Sequence, residues 1–101
     1  VAIGLVAEAR IAEAVGVAPG GLAMQVSAGL ERLSLPVRIP VGLAADRLLD
    51  AMRLDKKRSG NELRFSLLRD LGIAARDGDH WTVAAPDRAA ILQALRDSGA
   101  A

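Results

Sequence analysis

Met52-Arg53-Leu54-Asp55-Lys56-Lys57-Arg58-Ser59-Gly60-Asn61-Glu62-Leu63-Arg64-Phe65-Ser66-Leu67-Leu68 changes its hydrophobic period part-way along. Leu48, Leu49 and Met52 recur at three- and four-residue spacing, the inner stripe of a helix that opens at Ala45-Asp46. From Glu62 to Leu68 the period falls to two, with Phe65 and Leu67 alternating with Arg64 and Ser66, as in a half-buried strand. Gly60 is the limit beyond which the helix should not continue. The join therefore places two adjacent ammonium groups, Lys56 and Lys57, at a helix end just before a strand. Register separates them: Lys56 follows Met52 by four residues and continues the inner stripe, whereas Lys57 stacks above Asp50 and Arg53 on the polar side. Lys56 is expected to point inward and Lys57 outward. A solvated pair favoured only by the helix dipole, worth a few tenths of a kcal/mol for each lysine, is the structural alternative.

Outward from this join the chain reads as helices. Residues 1–15 are Ala-rich, lack proline and end at Gly16, which predicts a helix with a glycine stop. Apolar residues surround most of its first two turns, and only Glu8, Arg10 and Glu13 mark a solvent side, so its start is expected to bury against something larger than this chain supplies. Gly4 costs roughly 1 kcal/mol inside a helix, and close approach of a backbone, a ligand or a packed helix is its usual justification. After the turn at 17–21, with Pro19 and Gly20-Gly21, the spacing of Leu22, Val26, Leu30 and Leu33 predicts a second helix over about 21–34. Leu35-Pro36-Val37-Arg38-Ile39-Pro40 is an extended strap, because each proline restricts itself and its predecessor. Beyond the strand, a hairpin is expected in which 73–76 and 80–84 flank Asp77-Gly78-Asp79. A last helix over 86–96 opens at Pro86-Asp87 and closes near Gly99, with Ile91, Leu92 and Leu95 inward. The expected fold is mainly α: a bundle of about four helices with a short β-hairpin or small antiparallel sheet near the carboxy-terminal end.

Length and composition bound the function. A chain of 101 residues allows one domain at most. Hydrophobic residues make up 51% of it, yet only Phe65 and Trp81 are aromatic, so its core must be built from Ala, Leu, Val and Ile. The lack of stacking platforms and a net charge of +1 both argue against single-stranded nucleic-acid recognition. Without cysteine there is neither a disulfide framework nor a thiolate metal site, which fits the cytoplasm. The apolar start is broken by Glu8, Arg10 and Glu13, so neither a signal peptide nor a membrane span is expected. It begins without methionine in mid-helix, like an excised piece.

Catalytic groups are sparse. His80 is the sole histidine, so the usual imidazole metal set cannot form, and beside Trp81 it is expected to be solvated or packed. There is no thiol nucleophile, no plausible Ser–His pair and no glycine-rich phosphate loop. No catalytic or metal-binding residue is assigned, and the piece is expected to be inactive alone. Anion binding by Lys56 and Lys57, with Arg64 as a candidate helper, is what remains: an inward lysine gains from a phosphate or carboxylate and is costly without one.

The segment 52–68 resembles the carboxy-terminal active-site segment of the 3-dehydroquinate synthases, and Val1-Ala2-Ile3-Gly4-Leu5-Val6-Ala7 resembles the helix that follows their histidine-glycine metal motif. The resemblance covers nearly all of this chain but only the end of the family's length. It implies a parent enzyme that uses NAD as a transient oxidant and a divalent metal, zinc or cobalt, to convert 3-deoxy-D-arabino-heptulosonate 7-phosphate into 3-dehydroquinate and phosphate, in the shikimate pathway of aromatic amino acid biosynthesis. It further implies that the Asp55-Lys56-Lys57 run lies at the substrate pocket, with Lys56 holding an anionic group of the sugar phosphate. The dinucleotide fold and the metal ligands would lie outside this chain, in an amino-terminal partner domain and before Val1, and the parent would be a cytoplasmic homodimer. Residues 78–83 depart from the family by lengthening the path to the last helix. Two alternatives stay open: another sugar phosphate cyclase of the deoxyinosose or valiolone synthase kind, and a winged-helix DNA-binding module using Lys56, Lys57, Arg58 and Arg64 as its phosphate-contacting patch.

Overall fold

A computed structural model describes residues 1–56, 64–84 and 87–101, with residues 53–56 described by their backbone alone. Expectations for Lys57, Arg58, Gly60, Leu63 and Pro86 lie outside the described residues. Helix α1 spans Ala2–Ala14, α2 Leu22–Arg32, α3 Ala45–Lys56 and α4 Arg88–Asp97. Among the described residues, four short strands lie between α3 and α4: β1 Arg64–Phe65, β2 Leu68–Asp70, β3 Ile73–Ala74 and β4 Val83–Ala84. The expected architecture, four helices with small antiparallel sheets toward the carboxy-terminal end, is the one observed.

Helix α1 packs against both α2 and α4, and α3 packs against α4. Ile11, Leu22, Leu49, Ile91 and Leu95 meet in one apolar cluster completed by alanines, including Ala9, Ala12, Ala23, Ala45 and Ala94. Small side chains let the helices approach closely, which is how a chain with two aromatic residues closes a core. The second-helix stripe is only partly buried: Leu22 is inside, Val26 and Leu30 lie at the margin, and Leu33 stands in solvent. At the start of α1, Ala2 and Val6 are buried while Val1 and Leu5 are exposed. Among the described residues nothing comes within 4 Å of a Cβ added at Gly4. Among the described residues no helix is long and apolar enough to cross a membrane.

Helix ends follow their local chemistry. Gly16, at φ +81°, ends α1, with the Val17 and Ala18 N–H groups donating to Ala12 O. Ser34, at φ +59°, does the same for α2, where the Leu35 N–H donates to Leu30 O at 3.1 Å and Pro36 then bars continuation. Asp87 caps α4 by accepting from the Ala90 N–H at 3.1 Å. At the far end of α4, Ser98 is fully buried and donates its hydroxyl to Ala94 O, and Gly99 turns at φ +116°. The expected strap crosses here: the buried Ile39 donates its N–H to Ser98 O at 2.7 Å. The Ala101 N–H donates to Leu43 O and its carbonyl accepts from the Ala45 N–H, so the end of α4 is joined to the start of α3.

The strand region corrects two expectations. The run 62–68 is not one strand: β1 pairs antiparallel with β4, while β2 turns away through the buried Leu67 to pair with β3. The registers are Arg64↔Ala84 and Phe65↔Val83 for the outer pair, and Leu68↔Ala74 and Asp70↔Ile73 for the inner one. The expected 73–76/80–84 hairpin is accordingly replaced by nested pairs. Gly72, at φ +77°, makes the tight turn after Leu71 that closes β2 on β3, and an irregularity between Leu68 and Asp70 accommodates it. The Asp77-Gly78-Asp79 turn does form, with Asp77 and His80 exchanging N–H···O bonds of 2.9 Å each, but their pairing stops at that single bridge.

Candidate functional site

Lys56 lies in α3, whose described span is Ala45–Lys56. The Lys56 side chain and the whole of Lys57 lie outside the described residues. The chain re-enters the description at Arg64, the first residue of β1.

Arg64 is tied to the arm. Its Nε donates to Thr82 Oγ1 at 2.9 Å, and one terminal nitrogen donates to Thr82 O at 2.6 Å and to Asp77 Oδ2 at 2.9 Å. The Asp77 carboxyl is held below its ordinary value of 3.8 by its hydrogen bond to the Arg64 guanidinium and by the attraction of that charge. A guanidinium with five donors in a fixed fork suits this task, because it grips a side chain and a main-chain carbonyl of a distant segment together. The arm's tip is exposed: His80 lies in solvent, and the Arg76 guanidinium stacks over Trp81 at 4.3 Å from the ring centroid. His80 is thus solvated beside a turn, as its sequence context suggests.

One residue read as the solvent side of α1 has definite work. Glu13 reaches across to the amino terminus of α2, where Oε1 accepts from the Gly21 N–H at 2.7 Å and Oε2 from the Ala23 N–H at 3.0 Å. No Ser, Thr, Asp or Asn stands at the α2 N-cap, which is Gly21 itself; that vacancy is the sequence signal that a cap must come from elsewhere. Arg10, one turn before Glu13, lines a groove of about 400 Å³ between α1 and α2 together with Met24, Ser27 and Glu31. Its Nε is shielded from solvent and has no hydrogen-bond partner. Nearer the start of α1, burial raises the Glu8 carboxyl above its ordinary 4.5. Among the described residues no three His, Cys, Asp or Glu side chains come together in a way that could hold a metal ion.

As a class, this is a helical module whose lysine-bearing helix end leads into a clamped β arm. Over nearly its whole length its sequence is similar to part of the 3-dehydroquinate synthases. A 3-dehydroquinate synthase of Xanthomonas campestris pv. campestris (strain 8004) is 39% identical over 97 residues, covering 96% of this chain and 25% of that protein. One from Xylella fastidiosa (strain M23) is 37% identical over 95 residues, 94% of this chain and 24% of the relative. One from Xanthomonas axonopodis pv. citri (strain 306) is 40% identical over 74 residues, 73% and 20% respectively. The chain thus spans about a quarter of the length of these relatives. No protein-family model matches it.

Proposed function

We propose that this chain is the carboxy-terminal helical domain, residues 1–101, of a 3-dehydroquinate synthase, and that it supplies the lysine that grips the sugar phosphate. The reaction is conversion of 3-deoxy-D-arabino-heptulosonate 7-phosphate to 3-dehydroquinate with loss of phosphate, carried out in the cytoplasm as a step of aromatic amino acid biosynthesis. The observation that carries this reading is identity of 36–40% with enzymes of that name across stretches reaching 97% of the chain. The reach of α3 to Lys56 supports the assignment within the pair, since residue 56 continues the Leu49 and Met52 row beyond the buried core. In this reading Lys56 turns into a cleft and meets an anionic group of the substrate, positioning it for elimination, while Lys57 stays in solvent.

The described residues do not fit the family's other requirements. They gather no metal-ligand cluster, and the sequence has one imidazole. In this reading NAD and the zinc or cobalt ion belong to the parent's remaining length, and no chemical step is derived through them. The exposed Val1 and Leu5 at the start of α1 suit packing against the amino-terminal nucleotide-binding domain of the same enzyme, itself part of a homodimer. This piece alone would be inactive.

The test is steady-state kinetics of the complete enzyme. Lys56→Ala should lower kcat/KM by on the order of a hundredfold, the scale of one charge-assisted contact to a reacting anion, and Lys57→Ala by less than about threefold. Equal, small effects of the two substitutions would remove the inward assignment of Lys56.

A further inference from the structure

The α1–α2 groove has a polar lining that neither the fold nor the proposed reaction uses. Arg10 and Glu13 lie three residues apart on α1, while Ser27 and Glu31 lie four apart on α2, so each pair presents to one face of its helix. Glu13 is already committed, with both carboxylate oxygens accepting N–H groups of α2. Arg10 and Glu31 are uncommitted: they line the same groove, yet no ion pair joins them. The Arg10 side chain makes no hydrogen bond or ion pair among the described residues, and although its Nε is shielded its terminal nitrogens are not, so a ligand carboxylate taken end-on by those two nitrogens is their natural complement.

Charge selects among anions. A phosphate dianion entering here would meet Glu13 and Glu31 as well as Arg10, whereas a monoanionic carboxylate that carries its own ammonium group would neutralise Arg10 and Glu31 together. Met24, Ala23 and Ala28 add an apolar wall. The volume of about 400 Å³ is near the lower end of small-molecule sites, roughly 300–1,000 Å³. We propose that this groove binds a small zwitterion of the α-amino acid type, with its carboxylate on Arg10, its ammonium toward Glu31 and an apolar side chain against Met24 and Ala28. The proposal stands independently of Lys56 and of the reaction.

The test is titration of the 101-residue chain with L-leucine, followed through backbone amide shifts. Saturable shifts centred on Gly21, Ala23 and Ser27 are expected, with 4-methylpentanoate, which lacks the ammonium, and 3-methylbutylamine, which lacks the carboxylate, each binding about tenfold more weakly. Arg10→Lys keeps the charge and the stem but loses the fork, and should weaken leucine about tenfold with the circular dichroism spectrum unchanged. Glu31→Gln, at an exposed position, should weaken leucine to the level of 4-methylpentanoate and leave 4-methylpentanoate unaffected. Absence of saturable shifts, equal binding of the amine and the amino acid, or indifference to both substitutions would each overturn the proposal.

Discussion

In the helical body Ile11, Leu49, Ile91 and Leu95 are withdrawn from water and pack on one another, while in the arm formed by residues 64–84 Leu71, Ile73 and Trp81 stand in solvent. The body is held by apolar burial, and at the helix ends Glu13, Asp87 and Ser98 satisfy or extend the backbone bonding. The arm has only Leu67, Ala75 and part of Phe65, Leu68 and Val83 in the core, and it is closed by the Arg64 guanidinium on Thr82 and Asp77. Burial of aliphatic side chains involves no charge to screen or titrate, whereas a guanidinium–carboxylate clamp at the surface weakens with added salt and with acid. The two regions should therefore fail under different conditions.

The largest effect is expected in the body. Ile91→Ala removes a side chain that is 1% exposed and should cost about 3 kcal/mol, lowering the melting temperature seen by helical circular dichroism. A loss under about 1 kcal/mol would mean that the core can collapse around the gap and is looser than the burial pattern implies. Next comes Gly99→Ala, which puts a Cβ 2.8 Å from Ile39 O at a residue with φ +116° and should cost about 2 kcal/mol while detaching the strap. Accelerated amide exchange at Ile39 would show that detachment; an unchanged rate would place the strap's anchorage elsewhere. Glu13→Gln should then cost about 1 kcal/mol, read in the unfolding midpoint, because a neutral amide is a poorer acceptor for the α2 N–H groups and for the positive end of that helix. The smallest effect belongs to the arm. Because the folded Asp77 carboxyl titrates below its ordinary 3.8, its contribution is fully present above that value and is lost as pH falls through the lower, folded one. Acid should therefore release the arm before the body, seen as a change in Trp81 fluorescence ahead of any loss of helical signal. Asp77→Asn should flatten that pH dependence, and a Trp81 signal that instead tracks helix unfolding would erase the contrast between the regions.

The same contrast governs what the sequence discloses. All four helices were legible because their apolar spacing is sustained over three or more turns and their ends carry punctuation: Gly16, Pro19, Pro36, Asp87 and Gly99. Strand pairing was not. Runs of two or three residues with two turn signals, Leu71-Gly72 and Asp77-Gly78-Asp79, admit several pairings, and alternation from Leu63 to Leu67 cannot reveal that the chain changes partner at Ser66-Leu67. At the candidate site, the backbone reach of α3 to Lys56 followed from helical register alone. The engagement of Arg64 by Thr82, 18 residues away, and of Glu13 by Gly21 and Ala23 left no periodic trace, because a hydrogen bond between distant segments depends on how the helices and strands are assembled.

The nesting of the two strand pairs has a practical corollary. Gly78 and Asp79 project beyond the Asp77–His80 bridge, while the stem below is fixed by the β1–β4 register and the Arg64 grip. A peptide spliced between these two residues would ride on a stalk whose footing does not depend on its cargo, which makes this tip the natural place to graft a label or an epitope without perturbing the helices.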